Sequence, residues 1–320
     1  MAAFMRDKKP NLFIVGAPKC GTTALYTYLK EHPNIFMSSP KEPQFFADDV
    51  LGDRRTIRTW EDYMKCFETA EKEDVIGEAS VAYLGSQSAL HAIKAFNPAA
   101  QIIIMLRNPI DVMYSEYSQR IFDTREPQIS FESALKAEKD GKLSAWRRQS
   151  ARVVGLSLRE IVCFSDQVRR YLEVWGREKI HVIIYDDLKN DTTKAYLETL
   201  RFLGVGLDFR PSFRVVHPNK RVRSTHLQNF IFHPPKFVRQ TARTLFPQAA
   251  RRLVGNTLLR LNSPITPRQP MNPKLRRNLQ RELEADVERL SALLDRDLSE
   301  WVNEPPSAAT SVRGMPNSLQ

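Results

Sequence analysis

The chain reads Leu12-Phe13-Ile14-Val15-Gly16-Ala17-Pro18-Lys19-Cys20-Gly21-Thr22-Thr23 near its N-terminus, and this stretch decides the fold. Its first five residues form a continuous apolar run, which is typical of a strand buried on both faces of a parallel sheet. A turn bounded by glycines follows, and then a predicted helix that begins near Thr23. In this order of elements, backbone N–H groups and the positive end of the helix dipole can bind a phosphate.

Further apolar runs alternate with amphipathic segments along the chain. The runs Gln101–Leu106 and Ile180–Tyr185 resemble buried strands, and Val75–Ala79 is a weaker one. The segments Thr23–Glu31 and Arg159–Trp175 carry apolar residues on one face at helical spacing. The sequence therefore predicts an α/β protein with a P-loop-like three-layer fold, in which helices cover both faces of a central, mainly parallel sheet.

The C-terminal third has a different composition. From Arg210 to Arg281 there are 16 Lys or Arg residues and no Asp or Glu, within a chain of formal net charge +11. Apolar residues then recur at three- and four-residue spacing from Leu275 to Trp301, which predicts a long helix as a C-terminal extension. Residues 304–320 are rich in Pro, Ser and Ala and are predicted to form a disordered tail.

Composition argues against several other classes of protein. Cys20, Cys66 and Cys163 are odd in number and widely spaced, so neither a disulfide framework nor a zinc cluster is expected. The six histidines show no HExxH spacing, and no metal site is expected from them. The apolar run Leu12–Gly16 is too short for a membrane span or the core of a signal peptide. These features predict a cytoplasmic protein.

The phosphate-binding turn departs from that of the nucleoside triphosphatases. Gly16 and Gly21 have the spacing of GxxxxGK[ST], but Thr22 stands where that pattern has lysine. Lys19, on the crest of the turn, can instead neutralise charge between a 5′-phosphate and the group bonded to it. Thr22 and Thr23 add hydroxyl donors. A P-loop kinase or nucleotidase is the alternative enzyme class, and the displaced lysine argues against it.

The segment Pro18–Leu25 resembles the 5′-phosphosulfate-binding loop of the sulfotransferases that use 3′-phosphoadenosine 5′-phosphosulfate (PAPS). The bacterial and heparan-sulfate-type branches are the most similar. The resemblance implies that PAPS is bound by Lys19, Cys20, Gly21, Thr22 and Thr23. Arg107 follows a predicted strand, and with Ser115 it is similar to the family's 3′-phosphate-binding segment. A guanidinium fork suits a phosphate dianion, so Arg107 and Ser115 are the expected ligands of the 3′-phosphate.

The resemblance also implies the catalytic residues. Glu42, in Lys41-Glu42-Pro43, matches the position of a catalytic glutamate in heparan-sulfate-type and many bacterial members, and is the expected general base. Lys19 is expected to act on the leaving oxygen. Glu78, at the end of a predicted strand, is the alternative base because it would reach the same cleft. Arg221, in a basic loop, is either a second ligand of the 3′-phosphate or part of a basic surface.

These features together predict a soluble sulfotransferase. Residues 10–225 would form the PAPS-binding core, and residues 226–303 a basic helical extension or lid of the same domain. The reaction, without a metal, would transfer a sulfuryl group to a hydroxyl or amine of a carbohydrate, lipid or small metabolite. The alternative outside the enzymes is a non-catalytic anion- or nucleotide-binding protein. Nucleic acid is not an expected partner, because the sequence lacks the interleaved exposed aromatic residues of a recognised RNA-binding or single-strand-binding module.

The basic segment 236–260 generates the first testable prediction. Apolar residues recur there every four positions beside Arg239, Arg243, Arg251 and Arg252, so the segment is either a lid on the core or a peripheral contact with an anionic membrane. Each basic side chain near such a membrane contributes about 1 kcal/mol. The membrane interpretation predicts salt-sensitive co-sedimentation with anionic vesicles, which is lost when the four arginines become glutamate. If the protein did not co-sediment with anionic vesicles at low salt, the membrane interpretation would be wrong and the lid interpretation would remain.

Overall fold

A five-stranded sheet forms the centre of the computed structural model, which describes residues 9–124, 130–141, 156–213, 257 and 270–303. The strands are β1 Leu12–Gly16, β2 Ile35–Met37, β3 Val75–Ala79, β4 Gln101–Leu106 and β5 Ile180–Ile184. Their order is β2-β3-β1-β4-β5, and every neighbouring pair is parallel. The predicted α/β class is confirmed. β2 was not predicted, because three residues are too few to show a periodic pattern.

β1 occupies the middle of the sheet, and all five of its residues are buried. Phe13 pairs with Glu78 of β3 on one side and with Ile102 of β4 on the other. Polar and apolar residues do not alternate in β1, because helices cover both faces of the strand. Because the strands are parallel, the carboxyl ends of β1, β3 and β4 meet at one edge, here called the C-terminal edge.

Helices lie on both faces of this sheet. In the described part of the chain they are α1 Thr22–Lys30, α2 Asp48–Leu51, α3 Trp60–Lys65, α4 Gln87–Phe96, α5 Pro109–Thr124, α6 Phe131–Lys139, α7 Leu158–Ile161, α8 Phe164–Trp175, α9 Tyr185–Asn190, α10 Thr192–Leu203 and α11 Pro273–Leu294. Short 3₁₀ turns occur at Gly52–Arg54, Arg177–Lys179 and Ser299–Trp301.

Successive side chains of β5 point to opposite faces of the sheet. His181 stacks on Phe202 of α10, with ring centroids 5.2 Å apart. The next residue, Val182, lines a pocket together with Leu172 of α8. α10 and α8 therefore cover opposite faces of the sheet. α8 also contacts α4 and α11, which completes the layer on its side and gives the predicted three-layer arrangement.

One predicted helix and one predicted strand have different bounds in the structure. Arg159–Trp175 is not one helix, because α7 ends at Ile161 and α8 begins at Phe164. Ile161, Val162 and Phe164 are all buried, and a continuous helix would turn part of this set toward solvent. Tyr185, predicted as the last residue of a strand, is instead the first residue of α9.

The C-terminal helix α11 stops earlier than the leucine spacing predicted. Asp295 has a φ of 51°, in the left-handed region, and ends the helix after Leu294. Leu298 and Trp301 are still buried, because the chain turns back against the core. The side chains of α11 that face inward belong to the same apolar core as the sheet; they are Leu279, Leu283, Val287 and Leu290.

Several predicted features lie outside the described residues. They are the predicted tail at 304–320, Arg221 and, apart from Thr257, the segment 236–260. None of the helices in the described ranges combines the length and the apolar character needed to cross a bilayer. The cytoplasmic location and the membrane contact stay predictions.

Candidate functional site

The turn between β1 and α1 depends on two glycines. A Cβ on Gly16 would lie 2.7 Å from the Cβ of Leu84, so the end of β1 can pack there only without a side chain. Gly21 has a φ of 91° and is the residue that caps α1, and no side chain caps this helix. The first turn of α1 contains no acidic residue. Its N–H groups are therefore suited to binding an anion supplied from outside.

Lys19 and Arg107 come together beside this turn. The Lys19 Nζ donates to the Gln119 Oε1 of α5 at 3.3 Å. Arg107 directly follows β4, and its Nη1 donates to the carbonyl oxygen of Lys19 at 3.5 Å. Two cations from neighbouring strand ends thus lie at the C-terminal edge. Such a pair attracts a ligand with more than one negative charge.

Arg107 is held from two sides. Its guanidinium lies 4.5 Å from the centre of the Tyr185 ring, and its Nη2 lies 3.8 Å from the Asp111 Oδ2. Asp111 also accepts a hydrogen bond from the Arg276 Nη1 of α11 at 3.1 Å. One carboxylate is therefore shared by two guanidinium groups. The two guanidinium groups outnumber this carboxylate, which favours binding of an anion beside Arg107.

Helix α5 carries Ser115 toward the same place. The Asn108 Oδ1 accepts the N–H of Ile110 at 3.0 Å and caps the helix, while Pro109 occupies the first turn, where no helical hydrogen bond is lost. Ser115 is buried, and it lies four residues before Gln119, the partner of Lys19. Residues four apart share a helix face. Arg107 contacts the turn between β1 and α1, and Ser115 lies on the helix face that carries Gln119, the partner of Lys19.

The remaining residues predicted for the turn differ in exposure. Cys20 is fully buried, and this burial raises the pKa of its thiol well above the ordinary value. Its Sγ donates to the Pro18 carbonyl at 3.4 Å, so Cys20 can meet a ligand only through its backbone. Thr22 is buried and Thr23 is half-buried at the start of α1.

Glu42 lies on the β3 side of β1, in a segment here called the Glu42 loop (Pro40–Phe46). Its N–H donates to the carbonyl of Ala79, the last residue of β3, at 3.0 Å. Its carboxylate accepts from the Lys41 Nζ at 2.6 Å and from the Gln44 Nε2 at 3.3 Å. The side chain is 32% exposed. Glu42 is therefore held in one orientation and still open to solvent at the C-terminal edge.

Glu78, the alternative base, is enclosed. It is fully buried, and its carboxylate accepts hydrogen bonds from three hydroxyls. These are Tyr63 OH to Oε1 at 2.7 Å, Tyr83 OH to Oε1 at 3.1 Å and Ser80 Oγ to Oε2 at 2.9 Å. Burial raises the pKa of Glu78 to about 7, although the three hydroxyls act to lower it. We call these four residues the Glu78 cluster; its carboxylate is shielded from a ligand in solvent.

Two side chains at the site were missed from the sequence. Gln119, which binds Lys19, follows Ser115 by one helical turn, and this spacing on a predicted helix was a usable signal. The ring of Tyr185, at the end of a predicted strand, contacts the guanidinium of Arg107. Its place at the carboxyl end of a predicted parallel strand, where ligands of such sheets bind, could have identified it.

No group of three His, Cys, Asp or Glu side chains suited to a metal ion occurs among the residues that the structure describes. The expectation of a reaction without a metal stays a prediction.

Comparison with known proteins gives one consistent result. Residues 9–252 match the family model described as a sulfotransferase domain. The crystal structure of a sulfotransferase from Alicyclobacillus acidocaldarius is similar, with a TM-score of 0.68 and 30% identity, and the match covers 92% of this chain and 99% of that one.

Two human proteins are also similar. Carbohydrate sulfotransferase 15 is 32% identical over 152 residues, which cover 34% of this chain and 27% of that protein. The bifunctional heparan sulfate N-deacetylase/N-sulfotransferase 3 is 29% identical over 204 residues, which cover 62% of this chain and 23% of that protein. The chain thus matches about a quarter of the length of these two relatives.

The contact between Arg107 and Tyr185 generates a prediction for nucleotide binding. Replacing Tyr185 with Ala should weaken binding of adenosine 3′,5′-bisphosphate by about five- to thirty-fold, since a partly desolvated cation–π contact contributes about 1–2 kcal/mol. Tyr185→Phe keeps the ring and should stay near the wild-type affinity. Titration calorimetry measures both. Equal losses in the two variants would show that the ring does not support Arg107.

The burial of Glu78 generates a prediction for stability. Its pKa rises from 4.5 to about 7, so between these pH values the folded protein holds a proton that the unfolded chain has released. The contribution of this group to the free energy of unfolding therefore falls as the pH rises through that window. Glu78→Gln should remove this dependence.

Urea denaturation between pH 5 and pH 7.5 measures this pH dependence of the unfolding free energy. We expect the difference in unfolding free energy between wild type and Glu78→Gln to shift in favour of the variant as the pH rises. Parallel curves for the two proteins would contradict the assigned pKa.

Proposed function

Because this chain belongs to the sulfotransferase family, we propose that it transfers a sulfuryl group from PAPS to a hydroxyl or amine of a carbohydrate acceptor. One observation carries the proposal: Lys19 and Arg107 meet at the N-terminus of α1, and Glu42 lies along the same edge of the sheet. A pair of cations for a nucleotide and a carboxylate for an acceptor are the two parts that such a transfer needs.

The donors of the site fit a nucleotide that is charged at both its 5′ and 3′ positions. Lys19 and the first turn of α1 would bind the 5′-phosphate, as helix N-termini commonly do. Arg107, one strand away, would bind the 3′-phosphate together with Ser115. The guanidinium fork suits a phosphate dianion, and Tyr185 supports it from below. Thr22 in place of the P-loop lysine argues against a triphosphate substrate.

The chemistry requires one bond to form as another breaks. PAPS supplies the activated sulfuryl group. The acceptor oxygen or nitrogen bonds to sulfur while the S–O bond to the 5′-phosphate breaks, and the electron pair of that bond leaves on the phosphate. Lys19 neutralises the charge that develops there. The carboxylate of Glu42 takes the proton of the acceptor.

The geometry supports Glu42 over Glu78 as the base. Glu42 is held by Lys41 and Gln44 and is open to solvent, whereas Glu78 is fully buried among hydroxyls. A general base must come within hydrogen-bond reach of the acceptor proton, directly or through one water. The exposure of Glu42 at the C-terminal edge supports this role, because an acceptor in solvent can reach it.

The choice of a carbohydrate rests on the relatives and on charge. One similar human protein is a carbohydrate sulfotransferase, and the other is named for heparan sulfate. The formal net charge of +11 favours an acidic acceptor.

A transfer assay tests the proposal. Purified protein is mixed with ³⁵S-labelled PAPS and a panel of acceptors: de-N-sulfated heparin as an amine, unsulfated chondroitin as a hydroxyl, and a phenol and a glycolipid as the non-polysaccharide classes. We expect label in a polysaccharide and an equal amount of released adenosine 3′,5′-bisphosphate. Label only in the phenol would overturn the carbohydrate acceptor. Hydrolysis of magnesium ATP without use of PAPS would favour the kinase or nucleotidase alternative.

Two substitutions should separate catalysis from nucleotide binding. Glu42→Gln should lower kcat about a hundredfold or more, because it removes the base and not a ligand of PAPS. Its Kd for adenosine 3′,5′-bisphosphate should stay near that of the wild type. Arg107→Ala should raise this Kd.

Glu61→Gln is the matched control for the first substitution. Glu61 is a glutamate of α3 paired with a lysine, Lys65, at 3.2 Å, and its side chain is 81% exposed, whereas Tyr63 of the same helix is buried. Near-normal turnover in Glu42→Gln would move the role of base to Glu78.

A further inference from the structure

The backbone of the Glu42 loop is attached to the segment that follows β3. Three alternate N–H groups of the loop make this attachment: Glu42 N to Ala79 O at 3.0 Å, Gln44 N to Ser80 Oγ at 3.0 Å, and Phe46 N to Tyr83 OH at 3.4 Å. Two of the three acceptors are side-chain hydroxyls. The position of the loop thus depends on how these hydroxyls are oriented.

Glu78 determines that orientation. A hydroxyl has a single hydrogen to donate and can accept with its oxygen. Ser80 Oγ donates to the Glu78 Oε2 at 2.9 Å, and Tyr83 OH donates to the Oε1 at 3.1 Å. An ionised carboxylate only accepts, so it takes the hydrogen of each hydroxyl. Each oxygen is then left to accept an N–H of the Glu42 loop.

The backbone of the loop needs such an attachment. Glu42 and Gln44 have φ values of 61° and 59°, in the left-handed region that residues other than glycine rarely adopt. Backbone of this kind persists when its surroundings fix it. The side chain of Gln44 also donates to the Glu42 Oε2 at 3.3 Å. Fixing the N–H of Gln44 therefore helps to fix a donor that orients the Glu42 carboxylate.

We propose that Glu78 is a positioning residue for the transfer reaction, which aims the Glu42 carboxylate through Ser80 and Tyr83. This inference rests on the proposed role of Glu42 as the base. Glu78 itself touches neither nucleotide nor acceptor. Its effect is on the geometry of proton transfer, and a misplacement of about 1 Å can lower a rate about a hundredfold.

The chain offers a matched control within the Glu78 cluster. Tyr63 also donates a hydroxyl hydrogen to Glu78, at 2.7 Å, but it is not one of the three acceptors that hold the loop. Tyr63→Phe therefore removes a partner of Glu78 and keeps the attachment. Ser80→Ala and Tyr83→Phe each remove one attachment, by similarly small changes.

Transfer is measured at pH 8, above the pKa of about 7 to which burial raises Glu78, with the acceptor of the panel that turns over fastest. Ser80→Ala, Tyr83→Phe and Glu78→Gln should lower kcat by between about ten- and a hundredfold. Their Kd for adenosine 3′,5′-bisphosphate should stay near wild type, which also shows that each variant is folded. Tyr63→Phe should lower kcat much less. Equal losses in Tyr63→Phe and Ser80→Ala would overturn the inference.

A double substitution separates positioning from a general loss of structure. If Ser80 acts through Glu42, adding Ser80→Ala to Glu42→Gln should lower kcat little further. If the two substitutions instead lowered kcat by factors that multiply, the inference would be overturned and Glu42 would remain the base. Normal turnover in Glu42→Gln would overturn the proposed base, and this inference with it.

Hydrogen exchange supplies a measurement that needs no acceptor. Deuterium uptake of a peptide spanning residues 41–47 should be faster in Ser80→Ala and in Glu78→Gln than in wild type and in Tyr63→Phe. Unchanged uptake in the first two variants would overturn the inference, even if every acceptor in the panel failed.

Discussion

The site depends on the central position of β1 in a fully parallel sheet. Because β3 and β4 flank β1 in the same direction, three strands deliver their carboxyl ends to one edge. β1 leads into the turn with Lys19, β4 leads into Arg107, and the end of β3 holds the Glu42 loop. None of these residues is near another in sequence. Their approach follows from strand order and from the two glycines that bound the turn.

The two carboxylates at this edge, Glu42 and Glu78, lie in different environments. Glu42 is paired with Lys41 and remains partly exposed, so it can meet an acceptor. Glu78 is buried, its pKa is raised to about 7, and three hydroxyls enclose it. Burial of a charge is costly unless hydrogen bonds compensate it. The buried carboxylate of Glu78 has a role that offsets this cost in our proposal. It binds Ser80 and Tyr83, the two hydroxyls that accept N–H groups of the Glu42 loop.

Much of this arrangement could be predicted from the sequence, for physical reasons. β1, β3 and β4 were found at their observed bounds, because buried parallel strands are unbroken apolar runs bounded by turns. The turn at Gly16–Gly21 and Arg107 at a strand end carry local signals. The sequence could not show that Glu78 is enclosed, since its hydroxyl partner Tyr63 is 15 residues away. The break before Phe164 also depends on tertiary burial, which helical spacing does not report.

We propose that the site binds a nucleotide through a 3′-phosphate beside Arg107 and a 5′-phosphate beside Lys19. Titration calorimetry with adenosine 3′,5′-bisphosphate, adenosine 5′-monophosphate and magnesium ATP tests it most directly. We expect the bisphosphate to bind at least about tenfold more tightly than the monophosphate, because hydrogen bonds to a charged group contribute about 1.5–3 kcal/mol. This binding should need no magnesium. Equal affinity for the bisphosphate and the monophosphate, or tighter binding of magnesium ATP, would contradict it.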